Sequence, residues 1–218
     1  MGFIDRVISL GGHVAKWYER RVLPRAIDIV CGSSIFSGLR QKLLEGLSGN
    51  VVEIGFGSGT NSPFIPATVT SYFAIEPSLD ALSLSDGRRR EVTSRIRLVA
   101  ASGEALPMAT ESIDCIVFSF VLCSVEDPKA MIDECARILK PGGELRFIEH
   151  GRSNNHNMAK VQQILDPIER VIAGNCRLSR RPYDYIDEVV WLGNGGIERY
   201  LGPASPWTYV YSARYEKR

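Results

Sequence analysis

The chain has 218 residues, 44% hydrophobic and 23% charged, which suits one globular domain able to bury roughly 70% of its unfolded surface. Its 26 Lys and Arg against 25 Asp and Glu leave a formal net charge of +1, so the basic face or tail of a generic nucleic-acid binder is not expected. No run approaches the ~18 uninterrupted apolar residues of a spanning helix, and the opening residues lack the basic–apolar–small pattern of a signal peptide.

Residues 1–47 read as a helical extension. Phe3, Val7, Leu10, Val14 and Trp17 recur at spacings of four and three, one helix face, although Gly11-Gly12 weakens it. A second helix is expected over Leu23–Val30, where Pro24 is tolerated in a first turn, and a third around Ile35–Leu47. From position 48 the texture alternates. Short apolar runs at Asn50–Ile54, Ser71–Ile75, Ile96–Ala100, Ile113–Phe120 and Glu144–Glu149 are separated by helical stretches at Leu79–Thr93 and Pro128–Leu139. That alternation predicts a doubly wound α/β fold with a parallel sheet covered on both faces. Helices are expected next at Met158–Ala173 and Tyr183–Leu192, then strands at Ile197–Leu201 and Trp207–Tyr215. The connection between these last two is too short for a parallel crossover, so they should be antiparallel.

The five cysteines, Cys31, Cys115, Cys123, Cys135 and Cys176, are odd in number and contain no C-x-x-C pair. Neither a disulfide framework nor a metal site is expected, and reduced thiols fit a cytoplasmic protein.

The chemistry is concentrated at the predicted strand tips. The stretch Val51-Val52-Glu53-Ile54-Gly55-Phe56-Gly57-Ser58-Gly59-Thr60-Asn61 puts glycines at alternate positions after a strand, where the backbone turns sharply and approaches a ligand closely. A dinucleotide loop would read Gly-x-Gly-x-x-Gly. Here the third glycine is one position early and Glu53 precedes the first, a poor companion for pyrophosphate but a good one for a cationic ligand. About 20 residues on, Ala74-Ile75-Glu76-Pro77 ends the next strand with an acid suited to ribose hydroxyls. Ala101-Ser102-Gly103-Glu104, Ser119-Phe120-Val121-Leu122 and Lys140-Pro141-Gly142-Gly143 follow in order.

This succession resembles the class I S-adenosylmethionine-dependent methyltransferases, especially the ubiquinone/menaquinone-biosynthesis branch, over about residues 48–150. The resemblance implies a single-domain Rossmann-like sheet of seven strands, the last antiparallel, over 48–218. It implies S-adenosylmethionine as cofactor and S-adenosylhomocysteine as product. Glu53, Gly55, Gly57, Gly59 and Asn61 would serve the methionine part, Glu76 and Pro77 the ribose, and Ser102, Gly103 and Glu104 the adenine edge. Many relatives carry Asp where this chain has Ser102. Ser119, Val121 and Leu122 would line the pocket. A narrower likeness, carried by Phe120–Val125, Phe147–His150, Gln162–Pro167 and Gly174–Arg180, is to methyltransferase-like thiol S-methyltransferases, which an apolar N-terminal segment holds on membranes. No such segment is read in this chain.

That likeness makes S-methylation of a small lipophilic or natural-product thiol, by in-line attack on the methyl group, the leading expectation. N-methylation of an amine or phospholipid headgroup is the alternative, with peripheral membrane contact through the amphipathic N-terminus. A non-catalytic cofactor-binding module and a nicotinamide-linked oxidoreductase are rivals of other classes. A small-molecule acceptor is the expected partner. A thiol of pKa about 8.5 is ~3% ionised at pH 7, and full ionisation would lower the barrier by at most ~2 kcal/mol, so a dedicated base is helpful rather than required. His150 is the candidate proton acceptor. Trp17, Tyr18, Cys123, Cys176 and Tyr183 are the candidate substrate contacts, beneath a lid built from residues 1–47 and 151–185.

Overall fold

The computed structural model describes residues 16–92, 96–187, 190–193 and 196–218. The apolar periodicity over Phe3–Val14 lies outside the described residues. The chain enters through a π-helical turn, Tyr18–Val22, in which the Leu23 N–H reaches the carbonyl of Tyr18. Helix α1 (Leu23–Cys31) follows with Pro24 in its first turn. Pro24 has no N–H to give to the preceding turn, and a widened turn is a common way to accommodate that loss. After a 3₁₀ turn at Ser34–Phe36 comes α2 (Ser37–Leu44).

The sheet comprises β1 (Gly49–Ile54), β2 (Val69–Ile75), β3 (Ile96–Val99), β4 (Ile113–Ser119), β5 (Leu139–His150), β6 (Trp191–Leu192), β7 (Ile197–Tyr200) and β8 (Tyr209–Lys217). Helices α3 (Leu79–Leu84), α4 (Asp86–Arg90), α5 (Pro128–Ile138) and α6 (His156–Ile172) complete the chain. Spatial order is β3-β2-β1-β4-β5-β8-β6, with β7 also on β8. The pairs among β1 to β5 are all parallel, and β8 runs antiparallel to β5.

Seven strands are expected from the sequence and eight form. β5 takes one edge of β8, while β6 pairs with Glu216–Lys217 and β7 with Tyr209–Ser212. The last two therefore share the other edge and fill one strand position with a break between them, leaving seven positions. The helix expected at Tyr183–Leu192 is replaced by a 3₁₀ turn, Pro182–Tyr185, and by β6. Pro182 starts a turn, but Ile186 is already extended, and Trp191 gains backbone partners on β8 that a helix would forgo. The helix expected over Leu79–Thr93 is split at the fully buried Ser85.

Strand alternation sorts the core into two layers. Val52, Ile54, Ile116, Phe118, Leu145 and Phe147 pack with Met131, Ile132, Cys135 and Ile138 of α5 on one face. Val51, Cys115, Val117 and Ile148 pack with Leu39, Leu43 and Leu44 of α2 and Leu82 of α3 on the other. Burial on both faces is what near-continuous apolar strands require. The Phe118 and Phe147 rings stack with centroids 5.1 Å apart.

Arg146, buried on β5, closes the end of α2 by donating from Nη1 to the carbonyls of Leu43 (3.2 Å) and Glu45 (2.6 Å), and from Nε to Glu144 (2.7 Å). Helix-end carbonyls have no intrahelical donor. Arg146→Met should therefore lose about 2–3 kcal/mol of stability in urea unfolding, with the far-ultraviolet circular dichroism of the native state unchanged.

Candidate functional site

A cavity of about 620 Å³ opens at the carboxyl ends of the parallel strands, lined by residues that follow β1, β2, β3 and β4 and by the N-terminal segment. This is where doubly wound sheets place ligands. Of the residues singled out in the sequence, Gly55, Gly57, Glu76, Pro77, Ser102, Gly103, Glu104, Ser119 and Val121 line it. Glu53, Gly59, Asn61 and Leu122 do not.

The turn after β1 depends on its first two glycines. Gly55 has φ +68°, and a Cβ there would lie 2.3 Å from Val121 Cγ2. Gly57 has φ +55° and donates its N–H to Glu76 Oε2 at 3.0 Å. The other oxygen of Glu76 accepts from the Ser78 N–H at 2.9 Å. Burial raises the Glu76 pKa, against the opposing pull of the Ser78 and Gly57 N–H groups. Gly59 faces Phe56, Ser62 and Ser85 instead of the cavity.

Glu53 lies behind this floor, fully enclosed. Its carboxylate accepts from Asn61 Nδ2 (2.7 Å) and from the Tyr72 hydroxyl (2.7 Å). Asn61 accepts in turn from Arg40 Nη1 at 2.6 Å and donates to Ser119 Oγ at 3.2 Å. Burial pushes the Glu53 pKa up to about 7, opposed by Tyr72, Asn61 and the charge of Arg40. Arg40, which the sequence reading missed, lines the cavity; it is buried, and its Nε has no hydrogen-bond partner among the described residues. A lone arginine in a short apolar helix offers no sequence signal. A second unforeseen group is the clasp of Asp28, which accepts from Ser58 Oγ (2.5 Å) and Arg88 Nη1 (2.7 Å) and ties α1 to the glycine loop.

At the far end, Ser102 Oγ donates to Glu104, whose other oxygen accepts from the N–H groups of Glu126 (3.2 Å) and Asp127 (3.4 Å). Burial works to raise the Glu104 pKa, but these donors outweigh it and the net shift is downward. Leu23, Pro24, Ile27 and Cys31 of α1 form the opposite wall. Burial pushes the Cys31 thiol up to about 12, so it is protonated at neutral pH.

The remaining candidates stand away from the lining. Trp17 is 60% exposed, the Tyr18 hydroxyl donates to the carbonyl of Ile172, and Tyr183 packs edge-on against Tyr211. His150, Cys123 and Cys176 form a cluster behind the wall, with His150 Nε2 3.1 Å from Cys176 Sγ. Glu149, beside His150, accepts the N–H groups of Val121 (2.5 Å) and Leu122 (2.9 Å) and so fixes the wall from within. No single described helix is long and apolar enough to cross a membrane.

A glycine-floored cavity with an acid on the second strand tip defines a nucleoside-binding α/β protein. Residues 52–147 match the family described as Methyltransferase domain. Thiol S-methyltransferase TMT1A of Homo sapiens is 30% identical over 179 residues, covering 78% of this chain and 68% of that protein. Thiol S-methyltransferase TMT1B of Rattus norvegicus is 32% identical over 165 residues, 71% of this chain, and the chain spans 64% of its length. The N-methyltransferase NodS from Bradyrhizobium japonicum WM9, solved with S-adenosyl-l-homocysteine, shares the fold with a TM-score of 0.63 at 16% identity, over 94% of this chain and 97% of that one. The chain belongs to the S-adenosylmethionine-dependent methyltransferases of class I, and S-adenosylmethionine is its cofactor. The residues present suit that molecule. A side chain at Gly55 would fill the cradle, Arg40 holds a nitrogen with no hydrogen-bond partner among the described residues, and Glu76 and Glu104 are among the acids of the lining.

Because the folded chain holds the Glu53 proton more tightly than the unfolded chain, its contribution to stability is present below pH about 4.5 and is lost as pH rises toward 7. Glu53→Gln should flatten the fall in urea midpoint between pH 5 and pH 7.5. Glu76, whose pKa burial raises, and Glu149, which burial raises to about 7, contribute to the slope left over.

Proposed function

We propose that this chain methylates a small lipophilic thiol. The observation that carries the reading is a cavity whose floor is the Gly55–Gly57 turn and Glu76, and whose opposite wall sets the apolar Leu23, Pro24 and Ile27 beside Glu19 and Arg20, with no histidine among the described lining residues. When bound, S-adenosylmethionine supplies an electrophilic methyl group on a positively charged sulfur. Glu76 would accept the ribose hydroxyls on the lone pairs that Gly57 and Ser78 leave free, beside Pro77. Arg40 would face the carboxylate at the floor, and Ser102, Gly103 and Glu104 would edge the base. Ser119 and Val121 would close the side. Glu53, Gly59, Asn61 and Leu122 act one layer back, holding the loop in shape.

Residues 1–47 form the proposed lid on the 48–218 domain, with Leu23, Pro24 and Ile27 as its cavity face. Together with Phe120 and Val125 they would exclude water around an uncharged acceptor and hold it in line. Trp17, Tyr18 and Tyr183, all off the lining, would support the lid and wall, and Cys123, His150 and Cys176 would stand behind it. Apolar side chains around the acceptor suit a thiol, which needs little help in ionising, better than an alcohol. The thiol S-methyltransferase relatives support the same choice.

Glu76→Ala should weaken S-adenosylmethionine binding in calorimetric titration by roughly 1.5–3 kcal/mol, the worth of hydrogen bonds to a carboxylate; unchanged affinity removes the ribose assignment. Arg40→Met should weaken S-adenosylmethionine more than it weakens an analogue lacking the carboxylate. With labelled methyl donor, alkyl and aryl thiols should turn over. Labelling of phosphatidylethanolamine or amines with every thiol inert would overturn the acceptor class and leave the cofactor reading intact.

A further inference from the structure

Cys123, His150 and Cys176 come from three places in the chain. Cys123 follows β4, His150 is the last residue of β5, and Cys176 lies just past α6. The fold brings their ligand atoms within 4.8 Å of one another, with His150 Nε2 3.1 Å from Cys176 Sγ. Both cysteines are buried, and Leu178, Leu165 and Ala173 pack around them. His150 Nδ1 is also buried and has no hydrogen-bond partner among the described residues. A buried imidazole with one nitrogen on a thiol and the other on nothing is poorly satisfied by the protein alone.

We propose that Cys123, His150 and Cys176 bind one thiophilic divalent cation of the zinc class. Two sulfurs and an imidazole nitrogen are the donor set such an ion prefers, at about 2.3 Å from sulfur and about 2.0–2.1 Å from nitrogen. Tetrahedral coordination sets two sulfurs about 3.8 Å apart and each sulfur about 3.5 Å from the nitrogen, so ligand atoms already within 4.8 Å of one another reach it by closing up by about 1 Å at most. Each thiol loses its proton to solvent as its sulfur takes the metal, and two thiolates neutralise a divalent ion, so the loaded site adds no net charge to the interior. Among the described residues no fourth His, Cys, Asp or Glu joins the group, which leaves the fourth position to water or another small ligand.

The site is independent of the acceptor chosen above, and its consequence is mechanical. The ion would fasten the end of β5 and the segment after α6 to the loop that carries Phe120, Val121, Ser124 and Val125 into the cavity wall. The present protein links give the same connection more weakly, through Arg177 N–H donating to the Cys123 carbonyl at 2.8 Å and Asn175 Nδ2 donating to the Ser124 carbonyl at 2.7 Å.

The test is titration of the metal-stripped, reduced full chain with cobalt(II), followed by zinc(II). The expected result is a thiolate-to-cobalt absorption band and tetrahedral ligand-field bands that saturate at one ion per chain and are bleached by zinc. Zinc should also raise the melting temperature, since it binds only the folded chain tightly. Cys176→Ser and Cys123→Ser should each weaken cobalt binding by more than the roughly 10–100-fold that loss of a mere supporting partner costs, while Cys135→Ala keeps the bands. A wild-type chain with no saturable band overturns the site without recourse to variants. So does a band in Cys176→Ser that saturates at the same cobalt concentration as in the wild-type chain.

Discussion

One carboxylate organises the floor of the cavity. Glu76 accepts from Gly57 on one oxygen and from Ser78 on the other, so the tip of β2 holds the loop that leaves β1. The two strands are already in register as far as Ile54 opposite Ile75, and Phe56 N–H extends that pairing to the Ile75 carbonyl at 3.0 Å. The glycine loop therefore leaves the sheet in one direction only. Its geometry needs left-handed backbone at Gly55 and Gly57, which glycine adopts without the strain other residues pay. The remaining features of the site, Glu53 beneath, Arg40 beside and α1 above, are arranged around that fixed turn.

Much of this was legible in the sequence because it is local. Apolar runs of five to eight residues with β-branched content, bounded by turn residues, read as strands, and helical stretches between them predict a parallel sheet. The glycine loop and the acid at position 76 could be read directly, since the turn after a strand is written in the residues of the turn. The pairing of Glu53 with Asn61 and Tyr72 was not legible. Strand alternation puts Glu53 on the same face as Val51, where α2 packs, and Arg40 belongs to that helix. Nothing in the local pattern of α2 says that its arginine will be buried against residues 13 and 21 positions further on. The helix expected at Tyr183–Leu192 failed for a related reason. An open edge on β8 offered backbone partners to Trp191 and Leu192, and sheet pairing of that kind outweighs modest helix propensity.

Consecutive residues on β5 divide their work between two layers. Glu149 receives the Val121 and Leu122 N–H groups, and His150 meets Cys176. Alternation along a strand sends neighbours to opposite faces, so one strand end supports the cavity wall from two sides. Both contacts converge on the segment after β4, where Phe120 is held at φ +62°. A non-glycine residue costs about 1–3 kcal/mol there, and the bend persists because Phe120 N–H donates to the Ile148 carbonyl at 2.8 Å and its ring packs edge-on against Phe36.

Under the proposed assignment, the distribution of charge along the cavity bears on how an elongated ligand of mixed charge would lie. Arg40 and Arg20 are the cations of the described lining, and the amide of Asn61 bridges Arg40 to the buried Glu53. Glu76 stands at the middle and Glu104 farther along, each held by backbone N–H groups. A ligand placed the other way round would bring its carboxylate against Glu104, whose own donors favour its ionised form, with no cation to pair it. Burying an unpaired charge costs several kcal/mol. The proposed orientation, with a carboxylate toward Arg40, a diol on Glu76 and an uncharged ring near Ser102 and Gly103, would avoid that penalty. That orientation points the remaining arm of the ligand toward the apolar wall formed by α1 and Phe120.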